Sequence, residues 1–248
     1  MNSTIHSPEP GRPAPRSVLS RIGRFRYSAV ELLGALALLF FITPFIEDLP
    51  QGSSIEVVAL TLVMVSAVLA VGGRRRTLVI ALLLVTPALA AKWINHLCPD
   101  LISPVFFLIL VMVFFAFVVA SLIRFILRAP HVDTNVLCAG LSGYLMLGML
   151  WIPAYLLVAR LSPGSFLLSA GPEAGRPMGG FNAFYFSYTT LCTVGYGDVI
   201  PISKVARMLA VAEAVTGLFY MTVLVSRLVA VYSSSAYETK AKENERLS

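Results

Sequence analysis

The sequence predicts an all-α membrane protein with six membrane-spanning helices and one re-entrant helix. Hydrophobic residues make up 57% of its 248 positions and charged residues only 13%, whereas soluble domains average about 45–50% and about 25%. The apolar residues gather in six runs of roughly the 20 residues that a helix needs to cross a bilayer. A shorter aromatic segment lies between the last two runs and suits a helix that enters the membrane without crossing it.

The six apolar runs fix the expected helix bounds. We place them at about 28–46, 55–72, 77–94, 104–127, 135–159 and 203–232. Pro87 lies in the third run and Pro153 in the fifth, where proline removes a backbone donor and favours a kink. The intervening segment begins with a loop rich in Gly and Pro. It continues with Phe181 to Cys192, a stretch of about twelve residues that is too short to span a bilayer.

The basic residues indicate the orientation. Six spans put both termini on one side, and fourteen of the nineteen Lys and Arg residues fall on that side. Because cytoplasmic loops carry an excess of Lys and Arg, we expect cytoplasmic termini. Membrane orientation therefore explains the net charge of +6 better than nucleic-acid binding does. The expected parts are a basic cytoplasmic tail (1–27), a four-helix scaffold (28–130), a domain holding the re-entrant segment (131–232) and a short cytoplasmic tail (233–248).

The cysteines and histidines predict no cofactor. Cys98, Cys138 and Cys192 are far apart in the sequence, and no CxxC or Cys/His cluster accompanies them. We therefore expect free thiols and no metal centre.

The motif with chemical content is Thr-Val-Gly-Tyr-Gly-Asp at residues 193–198. It follows the aromatic segment and precedes the last apolar run. In this setting it resembles the selectivity filter of the tetrameric potassium channels. The resemblance is specific for about 181–232 and only architectural for 28–160. It implies a homotetramer in a lipid bilayer that conducts K⁺ passively through rings of backbone carbonyls, as in that family.

The resemblance also assigns roles to residues. The expected filter residues are Thr193, Val194, Gly195, Tyr196 and Gly197, with K⁺ bound at the first four. The glycines permit positive φ, so that successive carbonyls can face the axis. Asp198 is expected at the outer mouth. Residues 181–192 are expected to form the pore helix, with an aromatic cuff made of Phe184, Tyr185, Phe186 and Tyr188.

Residues outside the motif are expected to support the filter or to form a gate. The expected supporting residues are Tyr185, Thr189, Thr190 and Glu213. A carboxyl group in a membrane helix is costly and marks a functional candidate. Glu213 is expected to accept hydrogen bonds from hydroxyls such as Thr189 or Thr190, the alternative being a protonated, merely packed side chain.

Gly217 lies where the family has a hinge glycine, and close helix packing is the alternative. Leu218, Met221 and Val225 follow at helical spacing and are expected to line the inner cavity.

The sequence departs from the family at several positions. Thr189 stands where glutamate or valine is common, Tyr185 and Phe186 where tryptophan occurs, and Cys192 where threonine is common. These departures leave filter stability open. The fourth run carries only Arg124 and Arg128, both near its inner end, so we expect weak or absent voltage dependence.

Two other functions are kept as alternatives. A non-selective or Na⁺-permeable channel would be favoured by an altered filter, but the motif is intact. A transporter would show inverted repeats and paired broken helices, and an enzyme would show a catalytic cluster; neither pattern is visible. The composition suggests a bacterial inner membrane.

Overall fold

The structure is a computed structural model that describes residues 28–46, 52–73, 75–98, 103–131, 133–169 and 174–247. The predicted basic tail, residues 1–27, lies outside the described residues. The described part contains α1 (Ser28–Ile46), α2 (Gly52–Val71), α3 (Arg75–Leu97), α4 (Pro104–Arg128), α5 (Thr134–Leu161), β1 (Phe166–Leu168), α6 (Gly180–Leu191), β2 (Val199–Pro201) and α7 (Lys204–Leu247). The predicted helix bounds agree with these to within three residues, except at the end of α7.

Five helices within the described residues are long and apolar enough to cross a membrane. They are α2, α3, α4, α5 and the Lys204–Ala230 part of α7. Helix α1 has a shorter apolar stretch, Ala29–Phe45. Its 19 residues extend about 28 Å, close to the roughly 30 Å thickness of the hydrocarbon core.

Helix α7 runs on to Leu247 and is 44 residues long. The predicted division between 232 and 233 therefore does not coincide with the end of a helix. Neither glycine nor proline follows Gly217, and the last residues are mostly Ala, Glu and Lys. These residues favour helix irrespective of polarity, so the loss of hydrophobicity alone does not end the helix.

A tight connection separates α4 from α5, close to the predicted boundary at 130. Helix α4 ends at Ala129 in an extended conformation, because the residue before Pro130 is disfavoured in helical geometry. Asp133 then caps α5 by accepting a hydrogen bond from the Val136 amide at 2.9 Å.

One apolar core joins the scaffold to the domain of the re-entrant helix. Helices α1 and α4 both pack against α5. Leu32, Met64 and Phe114 are fully buried in the scaffold. The same cluster continues into α5 through Met146 and reaches Leu191 at the end of α6.

The loop predicted before α6 contains a short ribbon. Strand β1 pairs antiparallel with β2, with Phe166 opposite Pro201 and Leu168 opposite Val199. Phe166 and Leu168 are buried against Tyr155 of α5. The ribbon thereby connects the segment before α6 to the residues that directly follow the filter motif.

Candidate functional site

Helix α6 has the length of a re-entrant helix. Its twelve residues extend about 18 Å, which is too short to cross the roughly 30 Å of a hydrocarbon core. Ala183 and Leu191 are buried on the face that packs against α5 and α7. The helix ends at Cys192, immediately before the filter motif.

The backbone of the filter motif alternates in handedness. Thr193, Gly195 and Gly197 have φ values of 58°, 52° and 83°, and Thr193 is the one non-glycine residue with positive φ in the described chain. Alternation of right- and left-handed residues turns successive amide N–H groups to one side and the carbonyls to the other. A β-branched residue with positive φ is strained, and such strain concentrates at functional sites.

The amide groups of the motif point back to helix α6. The N–H groups of Val194 and Gly195 donate to the Thr189 carbonyl at 2.8 and 3.2 Å, and that of Thr193 donates to Thr190 at 2.9 Å. Among the described residues, no backbone N–H donates to the carbonyls of 193–196. These oxygens are therefore available to a cation. The contribution of Thr189 comes through its backbone, since its hydroxyl bonds back to Tyr185 within the helix.

Tyr185 contacts the outer end of the motif through its hydroxyl and its ring. Its hydroxyl donates to Asp198 Oδ2 at 2.8 Å, and its ring stacks on Tyr196 at 6.4 Å with an 8° interplanar angle. Burial, together with the hydrogen bond to Asp198, raises the pKa of Tyr185 to about 12. The hydroxyl therefore stays a donor at physiological pH.

Glu213 is the one fully buried carboxyl group of the described chain. It accepts hydrogen bonds from Ser187 Oγ at 2.6 Å and from the Tyr155 hydroxyl. A hydroxyl of helix α6 donates to it, as expected, but that hydroxyl belongs to Ser187 and not to Thr189 or Thr190. On a helix, residues two positions apart point about 200° apart, so Ser187 faces α7 while Thr189 does not. Glu213 thus links the re-entrant helix, α5 and α7.

The expected aromatic cuff is divided among three environments. Phe184 and Tyr188 pack with Phe40 of α1. Phe186 lies in the buried cluster with Tyr155. Tyr185 alone of the four contacts the motif's outer end.

Two tyrosines join α5 to its neighbours through hydrogen bonds that the sequence did not indicate. Tyr188 donates to the Leu145 carbonyl at 2.6 Å and Tyr220 to the Gly140 carbonyl at 2.7 Å. Gly148 admits the first ring, since a Cβ there would lie 2.4 Å from Tyr188. The glycines of α5 were the available signal for these contacts, because small residues permit close helix approach.

Gly217 packs directly against the end of α6. A Cβ at this position would lie 2.7 Å from the Leu191 carbonyl oxygen, which supports the close-packing alternative. The hinge role stays a prediction. The expected cavity residues Leu218, Met221 and Val225 are 57%, 42% and 51% exposed in the single chain.

A metal centre finds no support in the described residues. They contain no group of three or more His, Cys, Asp or Glu side chains that could hold a metal. The three cysteines are free thiols, and Cys98 and Cys192 are exposed. The chemistry that the motif itself offers is coordination of a cation by the backbone oxygens of 193–196, to which no described backbone N–H donates.

Comparison with known proteins finds a family match that includes this part of the chain. Residues 155–234 match the family model described as an ion channel. The match covers about a third of the chain and includes α6, the filter motif and most of α7.

Individual relatives match over short stretches of the chain. A two-pore potassium channel of Oryza sativa is 34% identical over 89 residues, which are 36% of this chain and 17% of that protein. A calcium-gated potassium channel of Thermoplasma volcanium is 34% identical over 67 residues, 27% of this chain and 19% of that protein. An inward rectifier potassium channel of Paramagnetospirillum magnetotacticum is 38% identical over 61 residues, 25% of this chain and 21% of that protein. The chain thus matches about a fifth of the length of these curated relatives, and no solved structure matches it.

Proposed function

We propose that this chain is a subunit of a homotetrameric, potassium-selective channel that conducts K⁺ passively across a membrane. The observation that carries the proposal is the alternating φ of Thr193, Gly195 and Gly197, with the amides turned back to helix α6. The three relatives named above are all described as potassium channels.

The proposed mechanism is exchange of water for backbone oxygens. A K⁺ ion entering the filter loses its hydration shell, and rings of carbonyls replace it. The oxygens of Thr193, Val194, Gly195 and Tyr196 supply these rings. The Asp198 carboxylates attract cations to the outer mouth.

Four chains are needed because one chain supplies one filter segment. The surface of α7 supports an assembly, since it is apolar yet uncovered in the single chain. Val211, Leu218 and Phe219 are 54%, 57% and 67% exposed, and exposed apolar surface of this extent indicates a partner or a membrane. In the tetramer, Leu218, Met221 and Val225 line the inner cavity, and Gly217 lets α7 bend at the gate.

The rest of the chain serves this pore. Residues 28–130 form a scaffold with α1 as the sixth span, and residues 131–232 form the pore domain. Tyr185, Thr189, Thr190 and Glu213 support the filter. Both termini lie in the cytoplasm, because most basic residues then lie on the inner side, and the composition favours a bacterial inner membrane.

Flux through liposomes tests the proposal. The full-length chain is reconstituted, and uptake of K⁺, Rb⁺ and Na⁺ is compared with and without external Ba²⁺. We expect Ba²⁺-sensitive K⁺ and Rb⁺ uptake with little Na⁺ uptake. Equal Na⁺ and K⁺ uptake would favour the non-selective channel, and uptake that needs a second ion gradient would favour a transporter.

A further inference from the structure

Ser169 lies where the outer ribbon meets the end of the filter motif. It follows β1, and its amide donates to the Asp198 carbonyl at 2.8 Å. This bond extends the register of the ribbon by one pair, since Leu168 already faces Val199. The side-chain hydroxyl of Ser169 lies 3.2 Å from the Gly197 carbonyl and 3.0 Å from the Asp198 carbonyl.

The Gly197 carbonyl depends on this hydroxyl. When the hydroxyl is removed, the Asp198 carbonyl still accepts the hydrogen bond from the Ser169 amide. The Asp198 carboxylate still accepts the hydrogen bond from the Tyr185 hydroxyl. Among the described residues, the side-chain donor within reach of the Gly197 carbonyl is the Ser169 hydroxyl, whose single proton is shared with the Asp198 carbonyl. Deleting that hydroxyl therefore frees one peptide group of the filter.

Packing does not restrain Gly197. Its φ is +83°, and no atom would lie within 4 Å of a Cβ built on it. Glycine also rotates more freely than any other residue. The orientation of its peptide group is consequently set by hydrogen bonding.

The ribbon is a rigid support for this bond. Phe166 and Leu168 are 8% and 3% exposed. The Phe166 ring lies 5.7 Å from both Tyr155 and Phe186. Ser169 thus follows a strand packed in the same cluster as Tyr155, one of the donors to Glu213.

We propose that Ser169 is a positioning residue that fixes the Gly197 peptide group and so keeps the outermost K⁺ site of the filter intact. This inference rests on the proposed function. When the hydroxyl is absent, the Gly197 peptide group rotates and the neighbouring Tyr196 carbonyl leaves the axis for part of the time. External K⁺, which occupies that site, must then be higher to keep the filter conducting.

The test compares variants of the full-length channel in planar bilayers. The measured quantity is the external K⁺ concentration that halves the rate of current decay. Ser169→Ala should raise it about two- to tenfold, the range that corresponds to one hydrogen bond of about 0.5–1.5 kcal/mol. Ser169→Thr keeps the hydroxyl and should stay within about twofold of the wild type on the same scale.

A control distinguishes positioning from general stability. Ser165 also belongs to the outer segment and is 2% exposed, but its hydroxyl donates to the Ser162 carbonyl, away from the filter. Ser165→Ala should leave the external K⁺ requirement unchanged even when it lowers thermal stability. Ser169→Cys has a side chain of similar size but only a weak S–H donor, so it should behave like Ser169→Ala. It replaces the alanine variant in the test if that variant does not assemble.

The outcomes separate the two proposals. If the wild type is K⁺-selective and Ser169→Ala or Ser169→Cys has the same external K⁺ requirement as the wild type, the role of Ser169 is overturned. The proposed function then still stands. A requirement that rises equally in Ser165→Ala and Ser169→Ala also overturns the role of Ser169. A wild type without selective K⁺ current overturns the proposed function itself.

Discussion

Replacing Glu213 tests how α5, α6 and α7 are joined behind the filter. Tyr155 and Ser187 both donate to its carboxyl group, and Ser187 also lies 2.9 Å from the Gly148 carbonyl. An amide can satisfy this arrangement. In Glu213→Gln, the carbonyl accepts from Tyr155, the NH₂ group donates to Ser187, and Ser187 donates to Gly148.

The expected loss of stability is much larger for Glu213→Ala than for Glu213→Gln. Glu213→Ala leaves the buried Tyr155 hydroxyl without an acceptor, at a cost of about 1–3 kcal/mol, and a cavity of four missing heavy atoms costs about 2–5 kcal/mol more. The expected destabilisation is therefore about 3–8 kcal/mol. Glu213→Gln should stay within about 1 kcal/mol of the wild type, because no buried polar group loses its partner.

Thermal dissociation of the purified assembly measures the effect, with Rb⁺ uptake recorded on the same samples. Glu31, an exposed acid on α1, provides the matched control, and Glu31→Ala should leave both readouts unchanged. If Glu213→Gln dissociates at the same lowered temperature as Glu213→Ala, then charge and not hydrogen bonding holds the helices, and the reasoning fails.

Three further variants test separate parts of the molecule. Gly217→Ala places a methyl group 2.7 Å from the Leu191 carbonyl of α6 and should lower thermal stability by about 1–3 kcal/mol. Unchanged melting would contradict the close-packing account. Tyr185→Phe removes the hydroxyl that reaches Asp198 and should hasten current decay without loss of assembly, so a wild-type decay rate would argue against this support. Neutralising Arg124 and Arg128 together should leave the current–voltage relation unchanged, whereas the disappearance of a steep voltage dependence would show that α4 senses voltage.

The helix bounds could be predicted because apolar runs in a membrane protein coincide with helices. The runs at 104–127 and 135–159 correspond to α4 and α5 to within two residues. The end of α7 was not predictable in this way, because hydropathy reports membrane burial and not helix propensity. Strand β1 has three residues, too few for a period-2 pattern to be recognised.

The filter motif could be predicted, but its supporting contacts could not. The motif is continuous in sequence, and its glycines indicate positive φ at Gly195 and Gly197. Nothing in the residue types indicates the positive φ of Thr193. Tyr155 and Ser187 are 58 and 26 residues from Glu213, and only helix packing brings them together. Ser169 is separated from Asp198 by 29 residues and belongs to a segment without any periodic signal.

The most direct test of the central claim is an anomalous-scattering map of crystals of the full-length protein grown with Tl⁺ in place of K⁺. The account predicts a column of Tl⁺ peaks on a fourfold axis, next to the carbonyl oxygens of Thr193, Val194, Gly195 and Tyr196. A map without ions on that axis, or with Tl⁺ bound only by side chains elsewhere, would contradict a carbonyl-lined potassium filter.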